Sequence, residues 1–250
     1  MLKKIRIMIA GFVLLATSAV QAQVVELALL LDASGSVGTT NWNLQTAAYG
    51  NIFGSGTFYD DFVVGGDTLW VKAYKFSGGS YGTNPVTAFT GWVEITDNAS
   101  AAAFGSLFAG VSYTQGWTYT DLALAEATNS ILTNGITSDR QIIDVSTDGI
   151  PGGSPGGDRM AETVAALLAA SNAGVTTNFI GVGSNISVAN LQTLAAAGGG
   201  FYTTAPDFNS FQTSLETKLF REIQGVPAPA TIVVFALALV GLGVSRKRAQ

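Results

Sequence analysis

The sequence predicts an α/β protein with one mostly parallel central sheet and helices on both faces. Apolar runs of strand length alternate along the chain with segments whose apolar residues repeat at helical spacing, and this alternation is typical of βαβ units. Some of the runs are almost continuously apolar, as expected for strands that are buried on both faces of a parallel sheet. Right-handed crossovers between such strands place helices on both sides of the sheet.

The first half of the chain predicts three strands and three helices. The strands are expected at residues 24–31, 68–76 and, at an edge of the sheet, 86–95. The helices are expected at about residues 39–53, 99–109 and 120–132. Residues that commonly cap or begin helices stand at their starts, namely Thr39 or Thr40, then Asp97, then Thr120 or Asp121.

The second half continues the alternation. Strands are expected at residues 140–146, 175–182 and 201–203, and helices at 158–171, 187–197 and 208–223. The second of these helices is closed by three consecutive glycines, residues 198–200. Neither an internal repeat nor a long linker interrupts the pattern, so residues 23–225 are expected to form one domain.

Composition excludes several classes of chemistry. The 250 residues contain neither cysteine nor histidine, which removes disulfides, thiolate zinc sites, cysteine nucleophiles and Ser-His-Asp triads. A bound metal must therefore be a hard cation held by oxygen. Residues 23–226 carry all 17 acidic side chains and only six basic ones, a charge of −11. Such a body repels phosphate backbones, so no nucleic-acid partner is expected.

The first 22 residues have the layout of a secretory signal peptide. Three basic residues lie within the first six, residues 7–16 are apolar, and small residues lead up to Ala22. We expect cleavage between Ala22 and Gln23 and export of the chain. An uncleaved membrane anchor is the alternative, but the apolar run is short for a membrane span.

A second hydrophobic segment covers residues 226–244 and is followed by a basic cluster at residues 246–248. Its length is near the lower limit for a membrane-spanning helix. The basic end would stay in the cytoplasm and leave the body of the protein outside. The alternative is a core helix, but a core helix rarely ends with adjacent cations at the chain terminus.

Val226, Pro227 and Pro229, followed by the apolar stretch and the basic end, resemble a PEP-CTERM sorting signal. Ala228 stands where that family has Glu. The resemblance implies a Gram-negative source and anchoring in the inner membrane by the C-terminal helix. It also implies processing by an exosortase-type enzyme that releases the protein to the cell surface or extracellular matrix. Three segments are therefore expected: a signal peptide (1–22), a folded domain (23–225) and a sorting signal (226–250).

Oxygen-bearing side chains mark three places in the folded domain. Asp32, Ser34 and Ser36 alternate directly after the first strand, so they point to one side of an extended segment. Thr118 precedes a predicted helix, and Asp148 follows a buried-type strand. Open parallel sheets place their ligand crevice at the carboxyl ends of the strands, where these segments can meet. Two carboxylates with hydroxyls suit Mg²⁺, with Mn²⁺ or Ca²⁺ as alternatives, and leave room for an outside carboxylate.

Each segment alone has a plainer explanation, because Asp and Ser also satisfy backbone groups in turns. All three in this order resemble the metal-ion-dependent adhesion site of von Willebrand factor A domains, and the resemblance covers residues 24–223. It implies the Rossmann-like fold of that family. It also implies hydroxyl ligation by the two serines and Thr118, and ligation by the two aspartates directly or through water. The open coordination position would accept a Glu or Asp carboxylate from a partner.

These observations predict an exported, non-enzymatic adhesion or interaction module whose partner is a protein or a polysaccharide that presents a carboxylate. Two other functions stay open. One is metal-assisted hydrolysis of a matrix polymer, for which the sequence offers no separate general base. The other is a structural envelope protein with an inert metal site. Asp144, inside a buried strand, is expected to have a structural role, and Trp117 is a candidate for the contact surface because it adjoins Thr118.

Overall fold

The computed structural model describes residues 22–78, 85–153 and 158–225. The expected signal peptide up to residue 21 and the expected sorting signal from Val226 onwards lie outside these ranges. Within the ranges, no helix combines the length and the apolar character that a membrane span requires.

Strands and helices alternate along the described chain, which confirms the predicted α/β class. The strands are β1 (Val24–Asp32), β2 (Thr68–Phe76), β3 (Val86–Ala88), β4 (Val93–Ile95), β5 (Arg140–Thr147), β6 (Val175–Val182) and β7 (Gly199–Ala205). The helices are α1 (Gly38–Phe53), α2 (Phe58–Phe62), α3 (Asn98–Ser106), α4 (Thr120–Thr133), α5 (Arg159–Asn172), α6 (Val188–Ala197) and α7 (Phe211–Gln224).

The strands form one sheet in the order β3–β2–β1–β5–β6–β7, and β4 also pairs with β2. Strands β1, β2, β5, β6 and β7 run parallel, whereas β3 and β4 run antiparallel to β2. Strand β1 is central and is fully buried from Val25 to its end, which explains its nearly unbroken apolar sequence. The carboxyl ends of the parallel strands meet at one edge of the sheet, and Asp32 ends β1 there.

Helices cover both faces of the sheet, with an apolar cluster under each set. Leu27 and Leu29 of β1 belong to the cluster that includes residues of α1, α3 and α7. Ala28 and Leu30 belong to the cluster that includes residues of α4, α5 and α6. Successive strand residues point to opposite faces, so one strand contributes to both clusters. Burial of these side chains is the main favourable contribution to folding.

Helix starts were predicted with mixed success. Asp97 caps α3 as expected, because its side chain accepts a hydrogen bond from the Ser100 N–H in a capping box. The prediction that Thr39 or Thr40 caps α1 was wrong. Helix α1 starts at Gly38 and has no side-chain cap, so both threonines lie in its first turn.

Two other boundaries differ because local turns interrupt the apolar pattern. The edge strand predicted at 86–95 is divided into β3 and β4, which pair with opposite halves of β2. The last helix was predicted from residue 208 but begins at Phe211. A turn precedes it, in which Asp207 Oδ1 accepts hydrogen bonds from the backbone and the hydroxyl of Ser210. The short helix α2 was not predicted.

A buried ionic cluster attaches α7 to the sheet. Lys218 Nζ lies 2.6 Å from Asp144 Oδ2 and 2.6 Å from Glu222 Oε1, and all three side chains are fully buried. Tyr49 on α1 donates a hydrogen bond to Asp144 Oδ1. Burial raises the pKa of Glu222, the charge of Asp144 adds to this effect, and Lys218 opposes it. Asp144 therefore has the structural role that its position in a buried strand predicted.

Candidate metal centre

Asp32 lies at the carboxyl end of the central strand and is fully buried. Its Oδ1 accepts a hydrogen bond of 2.8 Å from the Ser34 N–H, and its Oδ2 accepts one of 2.6 Å from the Thr147 hydroxyl. Thr147 is the last residue of β5, so the second bond joins the ends of two neighbouring parallel strands. Together the two bonds hold the carboxylate in one orientation.

Two serines connect the loop after β1 to Asp148. The hydroxyl oxygens of Ser34 and Ser36 are 3.2 Å apart, and Ser36 Oγ donates a hydrogen bond of 2.7 Å to Asp148 Oδ1. Ser36 and Asp148 are 112 positions apart in the sequence. The structure therefore brings together four of the five predicted site residues, namely Asp32, Ser34, Ser36 and Asp148.

Thr118, the fifth predicted residue, lies in the loop before α4 and is 8% exposed. Backbone bonds attach this loop to the other two, since the Gly35 N–H donates to Gly116 O at 2.8 Å and the Gly152 N–H donates to Thr118 O at 3.1 Å. Gly116 has a φ of +134°, and a side chain there would collide with the Gly78 carbonyl. In the described part of the chain, the Thr118 hydroxyl makes no hydrogen bond to the other four residues. Its place at the site therefore depends on the backbone contacts.

Further residues support the site, and the sequence analysis missed them. Gln45 on α1 donates to the Asp32 carbonyl at 3.0 Å and accepts from the Ser146 hydroxyl at 2.9 Å. Tyr113 donates to the Ser34 carbonyl at 2.7 Å. Thr147 could have been noticed because it adjoins Asp148 in the sequence. Gln45 and Tyr113 carry no comparable signal, since only the folded chain brings them to these carbonyls.

Burial dominates the electrostatics of the two carboxylates. It raises the pKa of Asp32 to about 6 against the lowering effect of the hydrogen bonds from Thr147 and Ser34, and the charge of Asp148 adds a smaller upward effect. Burial also raises the pKa of Asp148, opposed by the hydrogen bond from Ser36. Among the described residues, neither carboxylate has a lysine or arginine nitrogen within 4.0 Å. A divalent cation would supply the missing counter-charge.

The donors present fit a small hard cation. They are carboxylate and hydroxyl oxygens, which are the ligand types that Mg²⁺ prefers. Within residues 22–78, 85–153 and 158–225, no three acidic side chains come together to hold a metal by themselves. The hydroxyls and water would therefore complete the coordination, as is usual for Mg²⁺.

A polar cavity of about 300 Å³ opens beside this cluster. Ser36 and Asp148 line one side, and the segments after β6 and β7, including Asn185 and Asp207, line the other. Trp117, in the loop that carries Thr118, is 52% exposed. The surface around the cluster thus offers both polar groups and an exposed aromatic ring.

The mostly parallel sheet with helices on both faces is similar to the fold of solved von Willebrand factor A structures. The von Willebrand factor type A structure from Catenulispora acidiphila is 17% identical, with a TM-score of 0.60 over 81% of this chain and 43% of that chain. The pilus adhesin SpaC from Lactobacillus rhamnosus GG is 14% identical, with a TM-score of 0.59 over 81% of this chain and 31% of that chain. Proximal thread matrix protein 1 from the mussel byssus has a zinc-occupied metal-ion-dependent adhesion site (MIDAS) motif. It is 15% identical, with a TM-score of 0.56 over 80% of this chain and 48% of that chain.

This chain therefore spans less than half the length of each of these three structures, and at such identities the likeness shows the fold alone. The chain belongs to the family described as Protein of unknown function (DUF1194), whose family model matches residues 22–227. No curated protein matches the chain.

Proposed function

We propose that this chain is an exported, non-enzymatic interaction module that binds one divalent cation and, through it, a carboxylate of a partner. The cation is Mg²⁺, with Mn²⁺ and Ca²⁺ as alternatives, and its ligands are Asp32, Ser34, Ser36, Thr118 and Asp148. The observation that carries this proposal is the hydrogen-bonded series from Ser34 through Ser36 to Asp148, beside the fully buried Asp32.

Charge balance explains why a partner carboxylate would follow the metal. Two aspartates balance the charge of a divalent cation, and the hydroxyl ligands add no further negative charge. Because the site then carries no excess negative charge, the open coordination position of the cation can still accept an anionic oxygen. The cavity beside Ser36 and Asp148 leaves room for the group that bears this carboxylate. Hydrolysis is less well supported, because the chain has no histidine to act as a general base.

The neighbouring structures suggest where such a module would act. One is a pilus adhesin and another is a byssal thread matrix protein. We accordingly propose a role in adhesion or matrix assembly at the cell surface or in the extracellular matrix. The partner would be a protein or a polysaccharide that presents a carboxylate.

Calorimetric titration of the full-length chain with magnesium chloride tests the metal. The wild type should take up one Mg²⁺ per chain, and Asp32→Asn should abolish the uptake. Ser36→Ala should weaken it at least about tenfold, a loss that is typical even of residues that only support metal ligands. Asp61→Asn, a change on the surface of α2, is the matched control and should bind like the wild type. Equal uptake by Asp32→Asn and the wild type would contradict the proposed ligand set.

Two immobilised polymers test the partner chemistry, poly-L-glutamate for a protein and polygalacturonate for a polysaccharide. Capture by either should require Mg²⁺ and should disappear with EDTA or with Asp32→Asn. Poly-L-glutamine and dextran are the neutral controls. Capture that survives both the chelator and the substitution would refute a metal–carboxylate contact.

We also propose that the chain is exported after cleavage between Ala22 and Gln23. Residues 226–250, which open with Val226, Pro227 and Pro229, would anchor the chain in the inner membrane until an exosortase-type enzyme processes them. The mass of the mature protein isolated from its source tests both steps. A mass that includes either terminal segment would contradict the corresponding cleavage.

A further inference from the structure

A second cavity lies at the amino-terminal ends of the parallel strands, on the opposite side of the sheet from the metal centre, where β5, β6 and β7 begin. Its volume is about 440 Å³, which is within the range of small-molecule sites. The residues that carry the argument are Arg140, Gln141, Asn178, Phe201 and Arg221, all of which line it. None of them belongs to the proposed metal centre.

Irregular pairing between β6 and β7 shapes this cavity. The register of the two strands shifts between Thr177 and Phe179. Gly200 passes so close to β6 that a side chain there would collide with the Thr177 carbonyl. Asn178 Oδ1 accepts a hydrogen bond of 2.9 Å from the Phe201 N–H. A side-chain amide thus takes the place of a backbone partner in the wall of the cavity.

That hydrogen bond uses only one end of the Asn178 amide. Asn178 is 3% exposed, and its Nδ2 donates no hydrogen bond within the described part of the chain. Asn178 lines the cavity, and its Oδ1 is used inside the wall, so we infer that its amino group is aimed into the cavity. A nearly buried donor without a partner favours a ligand that brings an acceptor oxygen.

Two of the six basic residues of the body line this cavity. The Arg221 guanidinium carbon lies 3.6 Å from the centroid of the Phe201 ring, and stacking of this kind leaves the N–H edge free to bind oxygen. Arg140 donates to the carbonyls of Glu222 and Ile223 at the end of α7. Within the described ranges, neither arginine has a carboxylate oxygen within 4.0 Å.

Each of the two acidic residues that line the cavity has a partner at one carboxylate oxygen, whereas Glu222 Oε2 is buried without a hydrogen-bond partner in the described part of the chain. Asp139 Oδ2 accepts a hydrogen bond of 2.8 Å from the Val24 N–H, and Glu222 Oε1 is paired with Lys218. Asp139 and Glu222 therefore offset the formal charge of the two arginines. What the cavity offers an anion is the hydrogen-bond donors of Arg221 and Asn178 that have no partner within the described ranges. Residues 1–22 and 227–250 contain no acidic side chain, so neither terminal segment offers one to the arginines.

We propose that this cavity binds a small organic anion, a molecule that carries a carboxylate or a phosphate group. The stacked guanidinium of Arg221 binds two anionic oxygens with its N–H edge. The Asn178 amino group and the Gln141 side chain donate further hydrogen bonds. The site needs no divalent cation and is independent of the proposed metal centre.

Isotope-edited NMR of the full-length chain in a neutral detergent tests the site. The protein is first freed of divalent cations and then dialysed to remove the chelator, because EDTA is itself a polycarboxylate. Sodium phosphate and sodium acetate are titrated separately at low ionic strength, so that the two anion classes are distinguished. Either anion should shift the backbone N–H signals of Gln141 and Phe201 saturably and leave that of Gly35, at the other edge, unchanged. Shifts at Gly35 alone would place the binding elsewhere and overturn the proposal.

Arg221→Gln should weaken the binding at least about tenfold, because it removes the charge and the planar donor edge. Arg221→Lys keeps the charge, and it should give a smaller loss and serve in place of Arg221→Gln if that variant does not fold. Lys72→Gln, on strand β2, is the matched charge control and should bind like the wild type. The absence of saturable shifts with both anions, or an affinity unchanged by substitution of Arg221, would overturn the proposal.

Discussion

Asp32→Asn removes the charge of a fully buried carboxylate and preserves its shape. The Ser34 N–H can still donate to the amide oxygen, and the Thr147 hydroxyl can accept from the new amino group where it now donates to Oδ2. The substitution therefore isolates the effect of the charge. In the metal-free protein we expect it to increase stability near neutral pH while it abolishes Mg²⁺ uptake.

The magnitude follows from the pKa of Asp32, which burial raises from 3.8 to about 6. A shift of roughly two units corresponds to about 3 kcal/mol. The folded state holds this proton more tightly than the unfolded chain, so the unfolding free energy falls as pH rises from about 4 to about 6. The full loss is present at pH 7, and Asn has no proton to lose.

Urea unfolding in the presence of EDTA, followed by tryptophan fluorescence, measures this effect. The unfolding free energy of Asp32→Asn minus that of the wild type should increase by about 2.4 kcal/mol between pH 4 and pH 7, because part of the effect is already present at pH 4. This difference cancels the titration of groups that do not interact with Asp32, including Asp97 and Asp207, whose pKa values are lowered by hydrogen bonds from the backbone N–H groups of Ser100 and Ser210. The titration of Asp148 is not cancelled, because its charge acts on Asp32.

Asp61→Asn, on the surface of α2, is the control and should respond to Mg²⁺ like the wild type. Addition of Mg²⁺ at 100 times its dissociation constant should stabilise the wild type by about 2.7 kcal/mol and leave Asp32→Asn unchanged. A difference between Asp32→Asn and the wild type that stays constant from pH 4 to pH 7 would refute the reasoning from burial.

Three other substitutions test the site and the fold. Ser36→Ala removes a hydrogen bond to the Asp148 carboxylate and one to Ser34, and it should lower the unfolding free energy of the metal-free protein by less than about 3 kcal/mol, the upper value for a hydrogen bond to a charged group. A larger loss in urea unfolding would make this serine mainly structural. Lys218→Met should cost about 3–5 kcal/mol because it leaves Asp144 buried without its cation, and a near-neutral result in the same assay would contradict the buried ion pair. Gly200→Ala should lower the melting temperature, because its Cβ would collide with β6. Gly91→Ala should not, because there is open space around Gly91. Equal melting temperatures for the two variants would contradict the close approach of β7 to β6.

The order of elements and the ligand-bearing segments could be predicted from the sequence because their signals are local. Apolar periodicity identified β1, β5 and β6 nearly to the residue, since a buried strand needs apolar side chains on both faces. Position relative to those strands placed Asp32 and Asp148 at one edge of the sheet. Boundaries were predicted less well where a turn decided them, as at the division between β3 and β4 and at the start of α7.

The sequence by itself determined the α/β class, the acidic charge of the body and the oxygen-only donor set of any metal site. Only the tertiary structure decided which of these donors touch, because Ser36 and Asp148 are 112 positions apart and Asp32 and Thr147 are 115 apart. It also decided that Lys218 neutralises Asp144 in the interior and that Arg140 and Arg221 line one cavity. Periodicity reports the burial of each segment, whereas a contact between distant side chains depends on how whole strands and helices pack.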